Sequence, residues 1–316
     1  LLNRQPRRKV NNFERAILTL QGSLHPGCLF YETRETVMEL INFTDAEIAC
    51  WQRFAAFIRP QEAAVNRLGA RTTVVKTPQF EEECTRLAAY YPALGLEHGN
   101  ARFFFDASKE GRHRILLNTA ALSRLSWLHA LAHELVHLHN LDRYNQDVGN
   151  VYRLTQESAL AQYYYEFLLW SKFQAMTIAT RVHALAAWHE ANGDAPPPDG
   201  CYRFAQVSFQ TTDVVQSLNA LQGAAALTLW REQLWEVLAD LALYLGKIAF
   251  FRPGAQPTEV DPVYPGDLAL GQLGPHVLTY SDVLQQCGDY DQWQGQKAVI
   301  RQVILAMQAH GQELYQ

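Results

Sequence analysis

"LHALAHELVHLHN", Leu128 to Asn140, sets His133-Glu134-Leu135-Val136-His137 inside a run of apolar helix formers, and its reading decides the fold. Four histidines and one glutamate stand among leucines, alanines and a valine. In a helix, residues four apart share a face, so His133 and His137 project the same way. At that separation two imidazole nitrogens reach one ion about 2.0–2.1 Å away. Glu134 lies one residue off that face, beside the ion rather than on it. There its carboxylate can hold a water and take its proton. The alternative is a core helix with internally satisfied polar groups. Burying two histidines and an ionised glutamate without a partner is costly, and a metal ion supplies the partner.

His-Glu-x-x-His is the spacing of zinc peptidases, and such a site needs a third protein ligand and an open position for water. His139 is two residues past His137 and turned about 200° around the helix. Six residues past His137 stands Arg143, itself a cation, and Asp142 would need an unusual turn. Glu157, in "LTQESALAQYYYEF" (154–167), is the favoured ligand. It is expected on the next helix, brought back by the polar loop "DRYNQDVGN" (142–150). A capping or solvated role is its alternative, and Glu166 among the aromatics is the reserve. Tyr164, seven residues past Glu157, shares its helical face and is a candidate donor to a developing oxyanion. The alternative for the Tyr163–Tyr165 run is core packing. His129, four residues before His133, lines the cleft or is a core or surface histidine. His183 and His189 have no ligand spacing, and Glu232, Glu236 and Asp240 read as a solvated acidic stripe.

The 316 residues are 48% hydrophobic and 19% charged with net charge −5, an ordinary globular composition. Nothing in that balance favours nucleic acid or an anionic membrane. The basic cluster Arg4, Arg7, Arg8 and Lys9 reads as a short solvated tail. Five cysteines (Cys28, Cys50, Cys84, Cys201, Cys287) are odd in number, with no Cys-x-x-Cys. That argues against a disulfide framework or a cysteine zinc site and fits a reducing compartment. The start lacks both a long apolar segment and an initiating Met, so trimming of the first residues is expected. The cysteine usage argues against a cleaved signal, and a cytoplasmic location is expected, with a secreted effector as the alternative.

Three regions follow: helical 1–70, a core 71–195, and helical 196–316 after the linker "NGDAPPPDG" (192–200). Asn12 to Leu68 reads as mostly helical, with Thr44 and Glu47 forming a capping box before "IACWQRFAAFIRP" (48–60). "RTTVVKT" (71–77) is short and β-branched, and "EEECTRLAAYY" (81–91) is helical up to Pro92. "ARFFFDASKEGRHRILLNTA" (101–120) predicts a hairpin of Arg102–Asp106 with His113–Leu117. Asn118 or Ser123 is the expected cap of the motif helix. Leu154 to Glu190 predicts a long helix. Gly223 to Phe251 predicts a helix apolar nearly all round, a core element rather than a membrane span. Residues 252–275 read as Pro- and Gly-rich loop before a final helix from Gln294 to Tyr315.

"HRILLNTAALSRLSWLHALAHELVHLHN" (113–140), followed by "QESALAQYYYEFLL" (156–169), resembles the ImmA/IrrE-type metallopeptidases, compact gluzincins. Their pattern is a strand ending in Asn, a helix bearing Ala-His-Glu-Leu-x-His, and a later helix with a glutamate. The resemblance covers roughly residues 100 to 170. It implies His133, His137 and Glu157 as ligands of one zinc ion per chain and Glu134 as general base. Val136 stands where that family usually has glycine, the second helix lacks the usual downstream proline, and no helix-turn-helix accompanies the motif. The expected fold is α+β, predominantly helical, with a zincin-like metallopeptidase core. In that core a small antiparallel sheet packs on the active-site helix, between helical N- and C-terminal regions. The expected activity is hydrolysis of a protein or peptide substrate, bound in extended form near Arg102–Phe105 or His113–Leu117. The reading from another class is a non-catalytic regulator that keeps the fold and binds a partner. A retained Glu134 weighs against it, because a purely structural zinc site does not require that carboxylate.

Overall fold

The computed structural model describes residues 38–55, 58, 71–96, 99–108, 111–122, 125–154, 159–200, 202–204, 212–251 and 266–314. The strands are β1 (Glu39–Ile41), β2 (Thr72–Thr77), β3 (Ala101–Phe104) and β4 (His113–Asn118). Helices α1 (Asp45–Phe54) and α2 (Phe80–Ala88) alternate with them, and α3 (Ser126–Val148) and α4 (Tyr164–Asn192) follow. The rest is α5 (Thr212–Gln222), α6 (Leu227–Phe251), α7 (Gly266–Leu273), α8 (His276–Gln286) and α9 (Tyr290–Leu314). Arg4, Arg7, Arg8, Lys9, Cys28, Cys201, Ser123 and Glu157 lie outside the described residues.

The architecture is α+β and mostly helical, as expected, but the sheet is mixed rather than antiparallel. Its order is β1-β2-β4-β3, with β1/β2 and β2/β4 parallel and only β3/β4 antiparallel. The hairpin pairs as its turn predicts. The parallel pairing of β2 with β4 needs a long connection, which α2 and β3 provide, and no local pattern in the sequence encodes it.

Alternation along the strands gives the sheet two apolar faces. Phe104 and Leu116 pack with Phe80, Cys84 and Leu87 of α2. Their neighbours Phe103, Ile115 and Leu117 join Leu128, Leu131 and Leu135 of α3 in the main core. α1 begins with the predicted box: Glu47 N–H donates to Thr44 Oγ1 (3.3 Å) and Thr44 N–H donates to Glu47 Oε2 (2.9 Å).

Several elements depart from the sequence reading. Strand β1 lies in the stretch expected to be helical, and α2 stops at Ala88, short of Pro92. α4 begins at Tyr164, because the chain after α3 first makes 3₁₀ turns at Val151–Arg153 and Ala161–Tyr163. Asn145 Oδ1 accepts from Val151 N–H (2.9 Å) and Asn150 Oδ1 from Tyr152 N–H (2.9 Å), side-chain caps that compete with a continuous helix. α7 lies in the segment read as loop, and α8 starts directly after Pro275, which mimics a loop in the pattern but suits a helix start.

α3 lies between the sheet and α4, and α4 in turn packs on α6. A Cβ at Gly246 of α6 would sit 2.5 Å from the Phe173 carbonyl oxygen and 2.8 Å from Met176 Cβ, so the two helices cross where no side chain fits. The C-terminal helices lock onto α4 through Trp170, whose Nε1–H donates to Cys287 O (2.8 Å) and whose ring stacks on Trp293. Cys50, Cys84 and Cys287 are free thiols. Among the described residues no helix is long and apolar enough to cross a membrane.

The β3–β4 connection is pinned by Arg71, which donates to Gly111 O (2.9 Å) and Ser108 O (3.1 Å). His113 is fully buried, stacks on Phe105, and accepts the Asp106 N–H at Nδ1 (3.1 Å). Burial, and then the Arg71 charge, push its pKa from 6.5 down to about 4. The unfolded chain therefore takes a proton at this position below about pH 6.5 that the folded chain refuses until about pH 4. Stability should fall as pH drops across that window. Substituting His113→Asn, which keeps an acceptor but cannot titrate, should flatten that limb in urea unfolding measured from pH 7 to pH 4. An unchanged slope would remove His113 as its source.

Candidate metal centre

The motif segment of α3 is buried throughout: His133 is 4% exposed, Glu134 1% and His137 0%. The helix starts at Ser126 without a side-chain cap. Asn118, an expected cap, instead accepts from Ala120 N–H (3.0 Å) and closes the turn after β4. The His133 and His137 rings stand side by side, centroids 4.5 Å apart and nearly perpendicular at 88°. His133 Nδ1 lies 3.2 Å from Glu134 Oε1, and His137 Nδ1 lies 2.8 Å from Ser171 Oγ on α4. Both Nδ1 atoms are thus engaged, and both Nε2 atoms are buried. Burial first, then the charge of Lys172, depress the His133 pKa to about 3, so the ring is neutral at ordinary pH.

Glu134 reaches from α3 to the sheet edge. Asn118 N–H donates to Asn100 O (2.9 Å), which fixes the alternation of the β3/β4 ladder. Ala101, Phe103 and Phe105 therefore turn their backbone groups away from β4. Phe103 N–H donates to Glu134 Oε2 (3.1 Å), and Phe105 O accepts from Tyr152 O–H (2.7 Å). Along this edge Tyr91, Leu94, Arg102, Phe105 and Tyr152 line a cleft of about 170 Å³. The edge strand is the predicted Arg102–Phe105 segment; His113–Leu117 is interior, between β2 and β3.

The other predicted residues are placed as follows. Tyr164 donates its hydroxyl to Leu94 O (2.7 Å) and packs against Tyr144 and Phe167, the core role weighed above. Glu166, the reserve ligand, is bound by Arg301 (2.7 and 3.0 Å) across the α4–α9 interface. Asp142 accepts from Gln146 (2.7 Å), and Arg143 pairs with Asp291 (2.9 Å). His139 is buried. His129 stacks alongside His133 at 6.3 Å and meets His183 at 5.9 Å. His189 bonds Gly193 O and the Tyr202 hydroxyl at the end of α4. Glu232 and Glu236 are exposed, whereas burial raises the pKa of half-buried Asp240.

The motif reading did not include Phe103, Ser171, Asn140 or Gln174. Phe103 acts through its amide, which has no sequence signature. The polar trio had a faint one: Asn140 follows His137 by three residues, and Ser171 and Gln174 sit three apart in an apolar helix.

Two buried imidazoles side by side, each with Nδ1 hydrogen-bonded, are the donor set a zinc ion takes from a helix, so the residues fit the metal. Among the described residues no third His, Cys, Asp or Glu completes a ligand group. No protein-family model, curated protein or solved structure matches the chain.

Glu134 holds two buried donors, so its removal has a structural signature. Glu134→Ala should lower the stability of the metal-free protein by about 1–3 kcal/mol, the cost of stranding them. Glu134→Gln, which keeps an acceptor for Phe103, should cost less. Urea unfolding in excess chelator measures both, and an alanine variant as stable as wild type would contradict the Phe103 contact.

Proposed function

We propose that this protein is a zinc-dependent peptidase in which His133, His137 and Glu157 hold the ion and Glu134 is the general base. One observation carries the reading. The paired imidazoles stand on a buried helix face beside a carboxylate that also touches the outward amide of an edge strand. When bound, the ion supplies Lewis acidity, bringing a water into the range of neutral pH and polarising a carbonyl.

The remaining steps belong to the chain. A substrate peptide lies extended along the side of β3 that faces away from β4 and offers a main-chain carbonyl to the Phe103 N–H. That carbonyl replaces Glu134 Oε2 on the amide and frees the carboxylate to face the scissile bond. Glu134 then takes a proton from the attacking water and hands it to the leaving amine. The cleft beside Tyr91, Leu94 and Tyr152 takes one substrate side chain. Free cysteines support a reducing, cytoplasmic setting, and a secreted effector peptidase would use the same chemistry. The non-catalytic regulator draws support from one observation: both Glu134 oxygens are already engaged.

Elemental analysis of the purified protein should find one zinc per chain. Glu134→Gln should keep the metal and fold but lower turnover on a cleavable protein substrate by about 10²–10⁴-fold or more, because an amide cannot accept the proton. Full biological effect in a folded, zinc-loaded Glu134→Gln protein would hand the function to partner binding.

Glu157→Ala should weaken zinc binding, while Asp142→Ala and His139→Ala leave it nearly intact. Zinc retained in Glu157→Ala and lost in Asp142→Ala would transfer the third ligand to Asp142.

A further inference from the structure

The cleft beside β3 is lined by a cation that the fold leaves without a counter-charge. Arg102 is half-buried, and its Nε is shut away from solvent with no acceptor. Among the described residues its side chain makes no ion pair and no hydrogen bond. Other half-buried arginines are matched: Arg71 donates to two carbonyls, Arg143 pairs with Asp291 and Arg301 with Glu166. Alternation puts Arg102 on the same face of β3 as Phe104, the face that α2 covers, while Phe103 lies on the face toward α3. Tyr91 meets Phe104 edge-on, with centroids 6.0 Å apart. Tyr91, Leu94 and Tyr152 complete a cleft of about 170 Å³ with Arg102. A cavity of about 150 Å³ holds a benzene, so this one has room for a single side chain. The acidic residues of α2, Glu81, Glu82 and Glu83, stand in its first turn, whereas the cleft borders its last residue, Ala88.

We propose that this cleft is a specificity pocket for an acidic side chain of the substrate peptide, selected by Arg102. The proposal rests on the reading above, in which a peptide lies extended along β3. In that arrangement the substrate residue opposite Phe103 turns toward α3, and its two neighbours turn toward α2 and the cleft. One of those neighbours meets Arg102 while a substrate carbonyl takes the Phe103 N–H. An apolar side chain in the cleft would draw an unpaired guanidinium further out of water, which is costly. A lysine or arginine would add repulsion between like charges. A carboxylate instead pairs with the planar guanidinium through two parallel hydrogen bonds, and its methylenes lie against the aromatic walls.

The test uses the full-length, zinc-loaded protein and a proteome-derived peptide library, with the cut positions read by mass spectrometry. Wild type should cut peptides with Asp or Glu enriched at one fixed place relative to the scissile bond. One such peptide is then compared with its amide counterpart, Gln for Glu or Asn for Asp, in wild type, Arg102→Gln and Arg102→Lys. The amide should lower kcat/KM in wild type by about tenfold or more, the scale expected when a desolvated charge loses its partner. Arg102→Gln should erase that difference while still cutting the amide peptide, an outcome that general loss of structure does not give. If Arg102→Gln does not fold, Arg102→Lys decides: it keeps the charge but loses the fork, and should narrow the difference. Cutting without an acidic preference, or a preference that the folded variant retains in full, overturns the pocket and leaves the peptidase reading intact. A zinc-loaded wild type that cuts nothing in the library removes both.

Discussion

The rest of the structure depends on the burial of α3 between the sheet and α4. A helix in that position has no solvent-facing side over its central turns, so every polar group it carries must be met by protein or by a ligand. The same constraint keeps the His133 imidazole neutral and draws Glu134 to the nearest backbone donor, Phe103 N–H. Desolvation also binds the carboxylate to the sheet.

The two walls contribute differently. On the sheet side the contact is a buried main-chain amide on the side of β3 that faces away from β4. On the α4 side the contacts are side chains, Ser171, Asn140 and Gln174, whose orientation traces to a carbonyl near the C-terminal helices. The α4 wall is fixed by helix packing. The close crossing at Gly246 and the Trp170–Cys287 bond hold that fixed wall in place.

Helix α3, the β3–β4 hairpin and the capping box at Thr44 were legible because each is written in local spacing. A 3.6-residue period, an alternation of two, and an oxygen three residues from an amide need no distant partner. The sheet order was not legible, since β2 and β4 meet across an intervening helix and strand. α7 and α8 were hidden by the glycines and prolines around them, which mark loops and helix starts alike. Glu157, the residue expected as third ligand, lies outside the described residues, and α4 begins at Tyr164, past the start that the sequence suggested.

By itself the sequence determined the paired histidines and their adjacent glutamate, because helical periodicity places residues four apart together in any fold that keeps the helix. Only the tertiary structure decided what surrounds them: Glu134 on Phe103, Ser171 behind His137, and Glu166 on Arg301 instead of on a metal. Those contacts join residues 31, 34 and 135 positions apart, and their geometry comes from how whole helices and a sheet edge pack.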